Sequence, residues 1–397
     1  MSVPEIITLG CRLNAAESER IHAMLSAQDT PTVVVNSCAV TQEAVRQTRK
    51  AIRRLRRSHP GARLMVTGCA ADIEGEQLAA MPEVDALVPN ANKLDVKHWA
   101  PAAPPVVEAP RARTRAFVPV QNGCDHSCTF CIIPQGRGAS RSLPVDEVVR
   151  IVTAHLEAGA PEVVLTGVDV TSWGHDLPGS PRMGTLVRAL FDRCPSLARL
   201  RLSSIDGAEI DDELEEIAAH EPRFMPHLHL SLQSGDDMIL KRMKRRHSRA
   251  DAIALVERLK ARRPDIAVGA DLIAGFPTET EEMHANNLSI IDACDIVHGH
   301  IFPFSPRPGT PASRMPQVDP LRVKSRAAEM RERVAQTRSR WLDGLVGTTQ
   351  IVLGEEGGSG HAENFAPVRL PTGMGASMTA RLKITGRDGG MLIGEAA

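Results

Sequence analysis

Three cysteines fall within the stretch GCDHSCTFC, at Cys124, Cys128 and Cys131. Thiolates this closely spaced hold soft metals, but three are one fewer than a closed tetrahedral zinc site takes. His126 offers zinc a fourth donor, although its place inside the triplet makes the reach awkward. An iron–sulfur cluster is the other candidate, because three thiolates leave one iron open to an external ligand. The next cysteine is Cys194, in a helical pattern where a buried core role explains it.

A second set of cysteines shares one context. EIITLGC ends in Cys11, TVVVNSC in Cys38 and RLMVTGC in Cys69; each is a short apolar run closed by a small residue and then cysteine. Helical patterns follow the first two, AAESERIHAML and TQEAVRQTRKAIRRLRR, with Thr41 as the expected N-cap of the latter. Alternating strands and helices predict parallel βαβ units, in which all strand C-termini lie on one sheet edge. Three cysteines in equivalent positions on that edge predict a shared metal site, again with three thiolates.

A Pro- and Ala-rich stretch at 100–116 reads as a linker. Beyond it, strand candidates AFVPVQ, EVVLTGV, LRLSSI, HLHLSLQ, VGADLIAGF and VHGHIFPF alternate with helical segments. Six strand–helix units predict a partly open parallel (βα)6 barrel, whose function belongs at the C-terminal strand ends. GCDHSCTFC follows the first of these strands. On the same rim fall Gly167 after the second strand, Gln233, Ser234 and Gly235 after the fourth, and DLIAGFP at the fifth. Short β-rich runs (TQIVLGEE, ENFAPVRL, ARLKITG) close the chain.

Composition narrows the class. With 397 residues, 42% hydrophobic and 24% charged, the chain is long enough for two or three domains. No apolar run approaches the ~20 residues of a membrane span. No basic-then-apolar leader precedes the first strand, so a cytoplasmic protein is expected, where eight cysteines argue for metal or catalysis rather than disulfides. The net charge of −1 hides basic runs at 46–57, 111–115 and 241–246, which could bind phosphate or be solvated helix faces. Tyrosine is absent and aromatics are 3%, so a base-stacking platform is not expected.

Together these motifs resemble the radical S-adenosylmethionine (SAM) methylthiotransferases over almost the whole chain. TLGCRLN, VNSCAVT and TGCAA are similar to that family's N-terminal cluster domain. NGCDHSCTFCIIP, VVLTGVD, LRLSSID, LHLSLQSGDD, GFPTETEE and FPFSPRPGTPA are similar to its radical SAM domain, and the C-terminal runs to its small RNA-binding TRAM barrel. The implied domains are 1–105 (auxiliary cluster), 110–340 (radical SAM) and 345–397 (TRAM-like). TLGCRLN, SSIDGAEI and HIFPFSPRPGT look most like the branch that modifies N6-threonylcarbamoyladenosine at tRNA position 37.

The resemblance implies two 4Fe-4S clusters, one on Cys124, Cys128 and Cys131 and one on Cys11, Cys38 and Cys69. SAM itself fills the first cluster's open position, with Gly167, Val168, Asp169, Ser203, Gln233, Ser234, Ile273 and Gly275 shaping its pocket. The second cluster carries sulfur, so the two open irons must face one cavity. Radical chemistry is needed because adenine C2–H is neither acidic nor electrophilic enough for acid–base catalysis. The implied partners are a tRNA anticodon stem–loop, gripped by segments 46–57 and 241–246 and the C-terminal barrel, and an electron donor such as flavodoxin or ferredoxin. Arg137 and Arg141 are candidates for the SAM carboxylate, a phosphate or structural ion pairs. Several family tyrosines are replaced, by Ala70, Phe130, Trp173, His247 and Phe304, and Thr278 stands where the family has glycine. Competing readings are methylthiolation of isopentenyladenosine or of a ribosomal-protein aspartate, and a non-catalytic zinc-dependent nucleic-acid-binding protein.

Overall fold

The valine run Thr32–Ser37 is buried along its whole length, as a strand covered on both faces must be. In the computed structural model it pairs in parallel with Glu5–Thr8 on one side and Arg63–Gly68 on the other, and Ala86–Leu87 completes a four-stranded sheet. The structure describes residues 4–26, 30–99 and 114–396, so the expected linker at 100–116 lies outside the described residues except for its last three. Helix Arg12–Ser26 follows the first strand. Helix Gln42–Ser58 follows the second, with the Thr41 Oγ1 accepting the Ala44 N–H at 3.1 Å as its cap. Cysteine placement follows from register. Ser37 pairs with Gly68, so Cys38 and Cys69 leave the sheet side by side.

All six expected strands of the central unit are present and parallel: Ala116–Pro119, Val163–Thr166, Leu200–Leu202 continued by Ser204–Ile205, His227–Gln233, Ala267–Ala274 and Ile296–Pro303. Ladder pairing is interrupted at Ser203, which divides the array into sheets of three and four strands. The first and last strands do not pair with each other, so the barrel is open on one side. Helix Arg12–Ser26 packs against the first strand there.

One long element has no counterpart in the sequence reading. Helix Pro320–Leu345 runs 26 residues and packs on the last barrel strand. Its signals are Asp319 before Pro320 as N-cap and a buried stripe at Val323, Ala327, Met330 and Val334.

The C-terminal unit is a closed five-stranded barrel ordered Thr349–Gly354, Ser359–Ala362, Pro367–Arg369, Met391–Ala396 and Thr379–Asp388. It sits against the starts of the central strands. Arg201 donates to the carbonyls of Ala362 and Glu363, and the Phe365 ring lies 5.0 Å from that of His227, the first residue of its strand. The small barrel therefore caps the end opposite the three-cysteine loop.

Candidate active site

The loop between Asn122 and Ile133 leaves the first strand's end and brings Cys124, Cys128 and Cys131 to the wall of a cavity of about 290 Å³. Val40 and Thr41, just past Cys38, line the same cavity. The cysteine edge of the N-terminal sheet thus faces the C-terminal strand ends of the central barrel.

Short contacts fix this arrangement. Gln42 Nε2 donates to the Pro306 carbonyl at 3.1 Å, and Arg307 pairs with Glu74 at 3.2 Å. Asn90 Nδ2 donates to the Gly136 carbonyl at 2.6 Å and lies 3.9 Å from the Cys69 sulfur. Gly136 is five residues past Cys131, so one short segment ties the two cysteine groups together. Arg137, the next residue, is buried and bonds Glu17, Asn14 and Asn122. Of the roles expected for it, it has the structural one.

Within the N-terminal group, Gly10 has φ +93° and its missing side chain leaves room for Cys38, whose sulfur lies 2.9 Å from where a Cβ would stand. Burial pushes the Cys38 thiol up to about 11, and the charges of Cys69 and Cys11 act in the same direction. In the other group burial pushes Cys124 up to about 12 and Cys131 to about 11. The Cys69 thiolate also acts on Cys131, across the interface. Arg245 Nη1 lies 3.8 Å from the Cys128 sulfur and Nη2 donates to the Ser231 carbonyl. This contact was not foreseen: within the basic run 241–246, Arg245 turns inward to Asp206, while the exposed Arg246 pairs with Asp206 and Glu209.

Each group offers three soft sulfur donors, and neither has a fourth cysteine, since Cys194 and Cys294 are buried in the barrel's core. That donor set fits a 4Fe-4S cluster with one open iron. His126 lies close to Cys124, its ring nitrogen, the Cys124 sulfur and an Asp169 oxygen all within 4.8 Å of one another, but its nearest partner is the carboxylate. Its Nε2 lies 2.6 Å from Asp169, whose hydrogen bond raises the histidine's pKa. Ser172 also donates to Asp169, at 2.7 Å.

Eight residues were expected around SAM, and they divide evenly. Val168, Asp169, Gln233 and Ile273 line the cavity. Gly167, Ser203, Ser234 and Gly275 do not; they shape the turns behind it. Gly167 is needed where Gln121 crosses, its carbonyl 2.8 Å from where a Cβ would stand, and Gln121 Oε1 accepts the N–H groups of Val168 and Asp169. Ser203 is buried, and Ser204 faces the cavity in its place. Ser234 bonds Asn287, and Gly275 lies against Val323 of the long helix. Ser204, Ser231 and Asp271 are cavity residues that the sequence reading missed.

Comparison with known proteins agrees with this architecture. The Radical SAM superfamily model matches residues 118–288, and that of Uncharacterized protein family UPF0004 matches residues 4–89. The chain is 43% identical to the Threonylcarbamoyladenosine tRNA methylthiotransferase MtaB of Rickettsia prowazekii, over 98% of this chain and 96% of that one. It is 30% identical to the tRNA-2-methylthio-N(6)-dimethylallyladenosine synthase of Ruegeria pomeroyi, over 99% of this chain and 98% of that one. The radical S-adenosylmethionine methyltransferase TsrM of Kitasatospora setae, solved with cobalamin and a 4Fe-4S cluster, has a similar fold, with a TM-score of 0.53 at 13% identity. The match covers 79% of this chain and 77% of that one.

Proposed function

This chain belongs to the radical SAM methylthiotransferases of tRNA, and from that premise we infer that it replaces C2–H of N6-threonylcarbamoyladenosine at position 37 by a methylthio group. The relative at 43% identity is named for that nucleoside, whereas relatives named for dimethylallyladenosine are 30–35% identical. The zinc-protein and ribosomal-protein readings are set aside, because these full-length relatives are enzymes named for tRNA nucleosides.

We assign Cys124, Cys128 and Cys131 to the cluster that binds SAM, and Cys11, Cys38 and Cys69 to the cluster that carries sulfur. Bound there, the clusters and SAM supply the one-electron chemistry that an unactivated aromatic C–H requires. The chain's own contribution is placement. Gln121 holds the Val168–Asp169 backbone at the cavity wall, where the Asp169 carboxylate is suited to a SAM ammonium. Gln233 and Ile273 bound the space for the nucleoside part. Arg245 sets a positive charge against the Cys128 sulfur. The Asn90–Gly136 contact fixes the distance between the two groups.

The observation that supports the reading is that Cys124, Cys128 and Cys131 line one cavity together with Val40 and Thr41, which lie just past Cys38 of the other three-thiol group. The domains are taken as 1–105, 110–340 and 345–397. A flavodoxin- or ferredoxin-class protein is the proposed electron donor. Among the described residues no helix is long and apolar enough to cross a membrane. The RNA partner is proposed to be the anticodon stem–loop, approached along helix Gln42–Ser58, which starts at the cavity mouth. Nucleoside mass spectrometry on tRNA from cells lacking this protein tests the reading. Loss of 2-methylthio-N6-threonylcarbamoyladenosine, restored by the intact gene, is expected; an unchanged nucleoside profile contradicts it.

A further inference from the structure

The two tRNA nucleosides of the relatives differ in one physical respect at N6. A threonylcarbamoyl group ends in a carboxylate, whereas a dimethylallyl group is an uncharged hydrocarbon. A site built for the former needs an accessible cation that no protein carboxylate already neutralises.

Several arginines fail this test. Arg115, Arg199 and Arg201 converge on Glu162, Arg245 pairs with Asp206, and Arg137 with Glu17. Arg12 does not. It directly follows Cys11, is exposed, and has no ion pair or hydrogen bond among the described residues. Its guanidinium lies 6.0 Å from the centre of the Phe117 ring, on the first barrel strand at the open side. Desolvation and the neighbouring Arg115 lower its pKa, and the charges of Glu162 and of Asp271, a cavity-wall residue, oppose that shift without cancelling it.

Asp271 does not satisfy Arg12, because its oxygens are already engaged. They accept from His229 at 3.0 Å, from His300 at 3.1 Å and from Ser204 at 3.0 Å. On the neighbouring strand Phe302 pairs with Ile273 in register, is 38% exposed and lines the cavity, offering it an apolar face.

We propose that Arg12 receives the carboxylate of the N6-threonylcarbamoyl group and so sets this chain's preference for that nucleoside. Arginine's planar fork suits a carboxylate in bidentate contact, and Phe117 supports the guanidinium from one side. Because Arg12 follows Cys11, this contact fixes the substituent next to the sulfur-carrying group. The proposal rests on the reading that threonylcarbamoyladenosine is the substrate.

The test uses the full chain with both clusters reconstituted anaerobically and three anticodon stem–loops. These carry adenosine, N6-threonylcarbamoyladenosine, or its neutral threoninamide analogue at position 37. Dissociation constants are measured for the unsubstituted protein, Arg12→Gln and Arg12→Lys, with iron content determined for each. The unsubstituted protein is expected to bind the carboxylate form about tenfold or more tighter than the amide. Arg12→Gln should bind the two equally, and Arg12→Lys should keep part of the preference. Equal binding of acid and amide by the unsubstituted protein overturns the proposal, as does full preference retained in Arg12→Gln. Should Arg12→Gln lose iron, the acid-to-amide ratio in the unsubstituted and Arg12→Lys proteins decides. Failure of the substrate reading looks different: the unsubstituted protein would form no methylthio product on the threonylcarbamoyl stem–loop at all.

Discussion

Arg137 grips Glu17 with both terminal guanidinium nitrogens, at 3.1 and 3.2 Å, across 120 residues of sequence and with both side chains buried. Lys93 closes on the same carboxylate at 2.5 Å, so one anion holds two buried cations between the two cysteine groups. Burial lowers the pKa of Lys93, and Glu17 opposes that shift. Replacing Glu17 by Gln leaves both cations uncompensated. The expected cost is about 3–5 kcal/mol of stability, read by denaturant unfolding. A loss under 1 kcal/mol would mean the network does not fasten the interface.

Glu162 gives the pH prediction. Burial alone would raise its pKa, but Arg201, Arg115 and Arg199 override burial and bring it down to about 2, well below the ordinary glutamate value. A depressed folded pKa means the contribution is complete above the unfolded value and fades as pH falls from there towards the folded one. It amounts to about 3 kcal/mol, constant from neutral pH to about 4.5 and lost towards pH 2. Comparing acid unfolding of the unsubstituted protein with Glu162→Gln checks this. The variant should start less stable and lose less between pH 4.5 and 2.

Thr278 occupies the left-handed region at φ +70°, where a β-branched residue is strained and glycine is not. Thr278→Gly should raise stability by about 1 kcal/mol, less what the freer unfolded chain regains. Unchanged or lowered thermal stability would show that the turn is not strained.

Helix Gln42–Ser58 divides its cations into two kinds. Arg46, Arg49, Arg53 and Arg56 each pair with a carboxylate. Lys50, Arg54 and Arg57 are exposed, share one helix face and have no such partner among the described residues. Their joint replacement by Ala should weaken binding of the stem–loop and lower the steepness of its salt dependence by about 2–3 in the log–log slope. An unaltered slope would place the RNA elsewhere.

Much of this was legible in the sequence because strands and cysteines alternate with a fixed relation. An apolar run, a small residue and a cysteine, three times over, is enough to put Cys11, Cys38 and Cys69 on one sheet edge. The six barrel strands were readable for the same reason. The cavity wall was only half legible. Neighbouring residues in a strand point to opposite faces, so choosing Ser203 where Ser204 faces inward reverses the side chain's direction. The Arg137–Glu17–Lys93 network was invisible, because its members lie on three separate elements and no local pattern links them. The basic run 241–246 was partly legible: Lys241, Lys244 and Arg246 are exposed, but composition does not reveal that Arg245 turns inward on Cys128 and Asp206.

The most direct test of two facing three-thiol sites is iron and sulfide content per chain after anaerobic reconstitution. It is measured on the unsubstituted protein, on Cys11→Ala, Cys38→Ala and Cys69→Ala combined, and on Cys124→Ala, Cys128→Ala and Cys131→Ala combined. About eight iron atoms are expected in the first and about four in each triple variant, with SAM cleavage kept only where Cys124, Cys128 and Cys131 remain. About four iron atoms in the unsubstituted protein, or no loss on removing Cys11, Cys38 and Cys69, would contradict the account.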